Sequence, residues 1–377
     1  MQSVAVFFGG KSPEHDISVI TGVFALNSLS AGKYAPVPVY VSRTGKWLTG
    51  KGLYDVSAYK NLDEGKLEEV CALPGSKTLY AIKKGKLKPL CRPLCVVNAM
   101  HGGGGEDGSM AGFLSVCEIP QTACLPFGAA ATMDKAVSKT VLRGAGIRTL
   151  PCVVFTEQGY FRRKTFYLRH VQKALGFPVI VKPARLGSSI GIQRAENEKE
   201  LCTVLEQAFR YDPKVVVERA LTGFTEINCA AYRGKNGICV SACEKPITSG
   251  EILSFADKYL SGEKGRSSRE FPAKIPAKTT AQIQALTRAA YRRLGLSGVI
   301  RADFLVEESG EVWLNEINTV PGSLAYYLFG DTPTALTAIL DEIIDVAVRE
   351  QLDKESRKTQ FDSCVLQIDG IKGGKTR

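Results

Sequence analysis

The stretch VIRADFLVEESGEVWLNEIN (299–318) gathers charged and amide side chains at strand spacing. It reads as two strands around a turn at Glu307 to Glu311. Strand side chains alternate with period two, so Arg301 and Asp303 share one face of the first strand, and Glu316 and Asn318 share one face of the second. Paired as a hairpin, these groups converge at one end of an otherwise apolar ladder. Two carboxylates and an amide oxygen form a hard, oxygen-only set suited to Mg²⁺, which takes a few protein oxygens and leaves the rest of its shell to substrate phosphates. The same alternation equally describes a solvated face with a surface Arg–Asp pair. A second constellation is FPVIVKPARLGSSIGI (177–192), where Lys182 ends an apolar strand and a Gly/Ser loop follows at 187–191. Gly187 and Gly191 would let backbone N–H groups approach an anion, with the lysine as phosphate partner. A plain strand and flexible turn would read the same in isolation, but other pieces accompany it. ATMDKAVSKT (131–140) supplies Lys135 in a helix. VVVERAL (215–221) ends a buried strand where an adenine edge could pair with backbone, and Glu226 follows Glu218 at a distance suited to ribose hydroxyls.

These residues need a scaffold of alternating strands and helices. SVAVFFGG (3–10) reads as a strand closed by glycines, with a helix from Ser18 on which Val19, Val23 and Leu26 recur at helical spacing. Residues 43–95 are rich in Lys and Gly with short apolar runs, a β-hairpin insertion with exposed turns and no chemistry. LCVVNAM (94–100) reads as a buried strand, HGGGGEDG as a loop and SMAGFLSVCE as a helix, so that a first α/β unit covers 1–123. A second unit, 124–217, holds a helix at 132–145 ended by Gly146 and strands at 151–155, 178–182 and 214–218. A third, 218–350, is strand-rich and closes on a helix from Pro333 with Leu336, Ile339, Leu340 and Ile343 in one apolar stripe. Beyond it, 351–377 is a polar, basic tail, loosely held.

Composition narrows the function classes. A chain of 377 residues with 44% hydrophobic and 23% charged residues exceeds one core and can bury several. The opening residues read as a strand and Gly turn, not a leader, and the apolar runs fall far short of the roughly 20 residues a membrane helix needs. A cytoplasmic protein with no membrane partner is the expectation. Eleven cysteines form no CxxC pair, and Cys91/Cys95 and Cys239/Cys243 lack neighbouring histidines, so free thiols in a reducing compartment fit better than a zinc site or a disulfide framework. The net charge of +11 comes without aromatic interleaving or a reading helix, which argues against nucleic acid and for a solvated basic face or attraction to an anionic nucleotide.

In order along the chain stand FGGKSPEHDISV, HGGGGEDGSMAG, MDKAVSK, VKPARLGSSIGI, the strand ending in Glu218, DKYLSG, RADF and EINTVPGS. The set, spread over residues 3–350, resembles the D-alanine–D-alanine ligases of the ATP-grasp superfamily. The resemblance implies an α+β architecture, with an N-terminal open α/β domain and two domains clasping ATP. Lys135 and Lys182, with Ser189 in the loop, would contact the ATP phosphates, Glu218 and Leu221 the adenine, and Glu226 the ribose. Asp303, Glu316 and Asn318 would hold two Mg²⁺ ions, replaceable by Mn²⁺, with Glu316 bridging. Glu14 would hold the first D-alanine's amine and connect through Ser188 to Tyr259, pinning a mobile 250–270 loop over the site. His101 would lie near the first substrate, Lys258, Gly322 and Tyr327 near the second, and Arg301 at the developing oxyanion. The product would be D-alanyl-D-alanine for peptidoglycan precursors, formed through an acyl phosphate, by a homodimer joined through the first domain.

Other readings fit less well. Gly103-x-Gly105-x-x-Gly108 matches a dinucleotide fingerprint, but IPQTACLPFG supplies no acidic residue after the next strand. The terminal GGKT lacks the phosphate-loop glycine, since Asp369 stands there. Ser188 with His101 could suggest a hydrolase, without any GxSxG elbow. A non-enzymatic polyanion binder would show steep salt dependence and no need for Mg²⁺. One departure from the family bears on specificity: SLAYYLF follows the Pro-Gly turn, so Tyr326 and Tyr327 stand where a small hydroxyl often meets the second substrate's carboxylate. D-alanyl-D-serine and D-alanyl-D-lactate therefore remain alternative products.

Overall fold

The computed structural model describes residues 1–247, 269–330, 332–358, 361 and 363. The first unit is built on β1 (Gln2–Gly9), followed by α1 (His15–Ser28), β2 (Tyr34–Val41), β3 (Trp47–Thr49), β4 (Glu68–Ala72), β5 (Leu79–Lys83), β6 (Lys86–Cys91), β7 (Cys95–Asn98) and α2 (Ser109–Val116). The run Val4 to Phe8 is fully buried, as a strand covered on both faces requires. It pairs in parallel with β2 and β7. The sheet order is β6-β5-β4-β3-β2-β1-β7. Residues 43–95 are thus more than one hairpin: β3 to β6 extend the sheet antiparallel from β2. Lys84 and Gly85, with φ of 50° and 70°, make the tight turn of the outermost pair.

Next come α3 (Pro126–Met133) and α4 (Lys135–Gly144), where one helix over 132–145 was expected. Asp134 separates them, its carboxylate accepting from the N–H groups of Ala136 and Val137 as a cap for α4. That break places Lys135 on the first helical turn. The elements β8 (Cys152–Thr156), α5 (Glu157–Arg162), α6 (Lys164–Ala174), β9 (Val179–Pro183), β10 (Gln193–Ala195), α7 (Glu198–Ala208) and β11 (Lys214–Arg219) follow. They build an antiparallel sheet ordered β10-β9-β11-β8, over a core that includes Phe155, Val181, Leu201 and Val217.

The last part comprises β12 (Phe224–Gly234), β13 (Gly237–Pro246), β14 (Arg269–Glu270), α8 (Ala277–Arg293), β15 (Val299–Glu307), β16 (Val312–Asn318), a 3-10 segment Gly322–Leu328 and α9 (Pro333–Glu355). Among the described residues its sheet runs β14-β13-β12-β15-β16. Ala129 of α3 and Leu142 of α4 share a core with Ile227, Phe304 and Leu314 of this sheet. The stripe Leu336, Ile339, Leu340 and Ile343 of α9 is buried as its spacing implies, in one core with Val19 and Val23 of α1, Val97 of β7 and Ala230 of β12. The last helix therefore ties the first unit to the final sheet, and it continues to Glu355, into the stretch expected as a tail. Lys77 reaches Glu355 at 2.7 Å. No helix among the described residues is long and apolar enough to cross a membrane.

Candidate active site

β15 and β16 pair as the expected hairpin, with Arg301 opposite Asn318 and Asp303 opposite Glu316. A bulge interrupts the ladder beyond Asp303, because Phe304 faces Leu314 and leaves Asn315 as the extra residue. Arg301 grips Asp303 with two hydrogen bonds, Nε to Oδ1 at 2.7 Å and Nη2 to Oδ2 at 2.8 Å. The Asn318 amide donates to Asp303 Oδ2 at 3.0 Å, leaving its own oxygen as an acceptor. Burial alone would lower the Arg301 pKa, but the Asp303 carboxylate beside it outweighs that and holds the guanidinium well above its ordinary range.

This donor set suits a Mg²⁺ ion that arrives with phosphate. A carboxylate's two oxygens offer about four lone-pair sites, and the three donors on Asp303 leave it capacity for a cation. Among the described residues no three His, Cys, Asp or Glu side chains form a metal cage by themselves. Two carboxylates and an amide oxygen match the sparse protein ligation of Mg²⁺ that substrate phosphates complete.

Three lysines face the hairpin and the neighbouring strand end. Lys135, from the start of α4, donates to Leu186 O at 2.6 Å and stands 3.7 Å from Glu316 Oε2. Lys182, near the end of β9, lies 2.8 Å from Glu218 Oε2 and donates to Asn315 Oδ1 at 3.1 Å. Lys139, one turn beyond Lys135 on α4, lies 2.9 Å from Glu218 Oε1 and is 1% exposed. Glu218 itself is completely buried. Burial pushes its carboxyl upward, but the Lys139 and Lys182 ammonium groups win and hold it at about 2. Leu221 is buried beside Leu150 and Leu305 just past β11, and Glu226 lies on β12 opposite Leu305.

The Gly/Ser loop after β9 turns through Ser188 and Ser189, both left-handed with φ of 50° and 57°. That turn aims the Ser188 hydroxyl at Glu14 Oε1, to which it donates. Glu14 sits 8% exposed at the start of α1, and a Cβ on Gly102 would come within 2.9 Å of its other oxygen. His101, Glu106 and Thr21 complete the junction. Glu106 accepts from Gly102 N at 2.7 Å and from Val320 N at 3.0 Å, so it fastens the glycine loop to the chain just past Asn318. Thr21 Oγ1 lies 2.9 Å from His101 Nε2 and accepts from Ser323 N at 3.1 Å. The 3-10 segment opening at Gly322 carries left-handed φ at Ser323, Leu324 and Ala325. It delivers Tyr327 beneath Arg269, whose guanidinium stacks 4.6 Å over the ring. Burial, ahead of the opposing effect of Arg301, pushes the Tyr327 phenol up to about 12.

His101 gives a pH prediction. Burial first, and the charge of Arg301 second, hold its imidazole down to about 4 from 6.5. Between those values the unfolded chain takes up a proton that the folded chain refuses, so stability falls as pH drops through that window, by about 3 kcal/mol for this group. Glu106 works in the opposite sense, since burial and then Glu14 raise its carboxyl to about 8 and its contribution fades as pH rises from 4.5. Subtracting a His101→Asn variant isolates the histidine. Urea unfolding at pH 4.5 and 7.5 should show a variant less acid-sensitive than the parent, and equal acid sensitivity would contradict the buried neutral imidazole.

The structure thus brings Glu14 to Ser188, which shares its loop with Ser189, Lys135 to Glu316, Lys182 to Asn315, and Arg301 to Asp303, Asn318 to Asp303 and Tyr327 to Arg301, while Thr21 links His101 to the Ser323 N–H beside Gly322. Glu218 meets Lys139 and Lys182 near the end of β11, and Leu221 lies just past it beside Leu150 and Leu305. Lys258 and Tyr259 lie outside the described residues. Lys139, Glu106, Asn315 and Arg269 were not singled out by sequence. Of these, Lys139 carried a signal, standing one helical turn from Lys135.

Residues 3–124 match the family described as D-ala D-ala ligase N-terminus, and residues 141–345 match D-ala D-ala ligase C-terminus. A relative from Thermosipho melanesiensis, named D-alanine--D-alanine ligase, is 34% identical over 372 residues, covering 98% of this chain and 99% of the relative. The D-Alanine-D-Alanine Ligase of Helicobacter pylori superposes with a TM-score of 0.73 at 26% identity, over 92% of this chain and 98% of that one. VanG D-Ala:D-Ser Ligase from Enterococcus faecalis gives 0.76 at 26% identity, over 92% and 99%. With both halves of the family matched in order and the chain covered from end to end, this protein belongs to the D-alanine–D-alanine ligase family.

Proposed function

We propose that the protein joins two D-alanine molecules into D-alanyl-D-alanine for peptidoglycan precursors, converting ATP to ADP and phosphate. The observation that carries the reading is the meeting of Lys135 with Glu316 and of Lys182 with Asn315, which draws two basic side chains onto the carboxylate hairpin. The first D-alanine, its ammonium held by Glu14, would present its carboxylate to the γ-phosphorus. One carboxylate oxygen forms the new P–O bond, the bond to the β-phosphate oxygen breaks, and ADP leaves. Such a transfer depends on positioning and charge neutralisation. Lys135, Lys182 and the Ser188–Ser189 loop would hold the phosphates, with Glu218 and Leu221 at the adenine and Glu226 at the ribose. Two Mg²⁺ ions, or Mn²⁺, held by Asp303, Glu316 and Asn318, would supply further neutralisation of the triphosphate. The second D-alanine's amine then attacks the acyl carbon. Arg301 would stabilise the tetrahedral oxyanion, together with backbone N–H near Gly322, and phosphate leaves. Lys258 and Tyr327 would line the second subsite, and Tyr259 would close the latch through Ser188 and keep water from the acyl phosphate.

A homodimer and a cytoplasmic location belong to the same proposal. Val116, at the end of α2 in the first unit, is 60% exposed, and Leu125 and Phe127, where α3 begins, are 50% and 75% exposed, apolar side chains available to a second copy. Every cysteine among the described residues is a free thiol, which suits a reducing compartment.

The test is phosphate release from ATP and Mg²⁺ with D-alanine alone and with D-serine or D-lactate as second substrate. Release should require D-alanine. D-lactate attacks through a hydroxyl and needs no deprotonated amine, so a ligase built for it gains from a cation that repels alanine's ammonium near neutrality. The span Ser249 to Phe271 contains no histidine to serve that purpose. D-alanine should therefore outcompete equimolar D-lactate at pH 7.5 and above. Predominant depsipeptide at pH 7.5 would overturn the product assignment, as would predominant D-alanyl-D-serine.

A further inference from the structure

Lys139 is a buried ammonium that the proposed reaction leaves without a task. It has 1% exposure, sits on the inner face of α4, and its Nζ lies 2.9 Å from Glu218 Oε1. On the other oxygen of the same carboxylate, at 2.8 Å, lies Lys182, the lysine assigned to the nucleotide's phosphates. Two cations therefore share one fully buried anion.

This arrangement poses a difficulty for nucleotide binding. Lys182 is not waiting with an open ammonium, because Glu218 and Asn315 already hold it. To reach a phosphate it must loosen from Glu218. A buried carboxylate stripped of its only cation is strongly unfavourable, since neither water nor another charge replaces the lost partner. With a second cation resident on its other oxygen, the carboxylate stays compensated. We infer that Lys139 is the permanent counter-ion of Glu218 and thereby a positioning residue for ATP, freeing Lys182 to pass from that carboxylate to the phosphates. Lys139 suits the permanent role. Its ion-pair partner is Glu218 at the end of β11, whereas Lys182 also donates to Asn315 on the β15–β16 hairpin.

The inference rests on the ligase reading, and its test separates the two. Lys139→Met should raise KM for MgATP and weaken MgADP binding in calorimetry by about tenfold or more, because Glu218 then retains Lys182. KM for D-alanine should stay within about twofold, and Lys139→Arg, which keeps the charge, should restore nucleotide affinity. The double variant Lys139→Met with Glu218→Gln removes the tether itself. It should bind MgADP more tightly than Lys139→Met alone, and if the single variant does not fold, the double variant should match Glu218→Gln alone within about threefold, because both have lost the adenine contact and the lysine's own effect then vanishes. A purely structural lysine would instead move both KM values together and make the double variant no better than the single one. Unchanged MgADP affinity in folded Lys139→Met, or a double variant that binds no better than it, overturns the inference. Failure of the ligase reading looks different, as parent protein that releases no ADP with D-alanine present.

Discussion

Glu316→Gln should abolish most turnover while leaving the fold intact. The side chain is 23% exposed, lies opposite Asp303 across the hairpin and sits 3.7 Å from Lys135, so the amide fits the same space with the charge removed. Lys135 keeps its bond to Leu186 O, and the hairpin keeps the Arg301–Asp303 grip. What disappears is one of the two negative charges available to a divalent cation beside the triphosphate. Neutralisation of that kind is worth several kcal/mol, and each 1.4 kcal/mol is about tenfold in rate, so ADP release should fall on the order of a thousandfold. The loss falls on phosphoryl transfer, before any dipeptide forms. ADP and dipeptide should therefore decline in proportion, and MgADP binding in calorimetry should weaken alongside them. A folded variant with near-normal ADP release would remove Glu316 from the metal site.

Alternation was enough to place Arg301, Asp303, Glu316 and Asn318 together, because a hairpin with one apolar face has its register set by that face. It could not place Asn315, which strict alternation puts on the opposite side from Glu316. With the bulge Asn315 meets Lys182 and Glu316 lies near Lys135, and no residue type in LNEIN announces it. Lys139 was hidden for a different reason. Lysine on a helix normally reads as solvated, and only the tertiary approach of Glu218 makes this one a core residue. The single helix expected at 132–145 failed at Asp134, where a capping side chain outweighed a periodic pattern. The left-handed run at Ser323 to Ala325 carries no glycine and so no local signal. Likewise the stripe on α9 showed that a face is buried but not that the first unit covers it, since periodicity names a surface and not its partner. Roles such as Glu14 with Ser188 came from family resemblance, and the structure adds that the two side chains touch.

Arg301 separates the second chemical step from the first. Its guanidinium makes a two-bonded fork on Asp303, a carboxylate with only 2% of its side chain exposed. Truncation to alanine would leave that carboxylate with only the Asn318 amide, a change costing about 3–5 kcal/mol that would confuse instability with lost catalysis. Lysine is the informative substitution. It retains the positive charge but offers a single flexible ammonium, which cannot both hold Asp303 bidentately and keep a fixed donor directed at an oxyanion. Phosphoryl transfer should persist, since both carboxylates of the hairpin remain, the new ammonium still compensates Asp303, and the phosphate-binding lysines are untouched. Attack of the amine should slow by about a hundredfold, the typical cost of losing one fixed oxyanion donor. The acyl phosphate would then wait longer for its nucleophile and be lost to water more often. Arg301→Lys should therefore raise the phosphate released per dipeptide formed, whereas Glu316→Gln leaves that ratio unchanged. Phosphate and dipeptide measured in the same reaction, with D-alanine saturating, decide the matter. A ratio equal to the parent's at near-normal dipeptide output would show that Arg301 serves only to hold Asp303 in place.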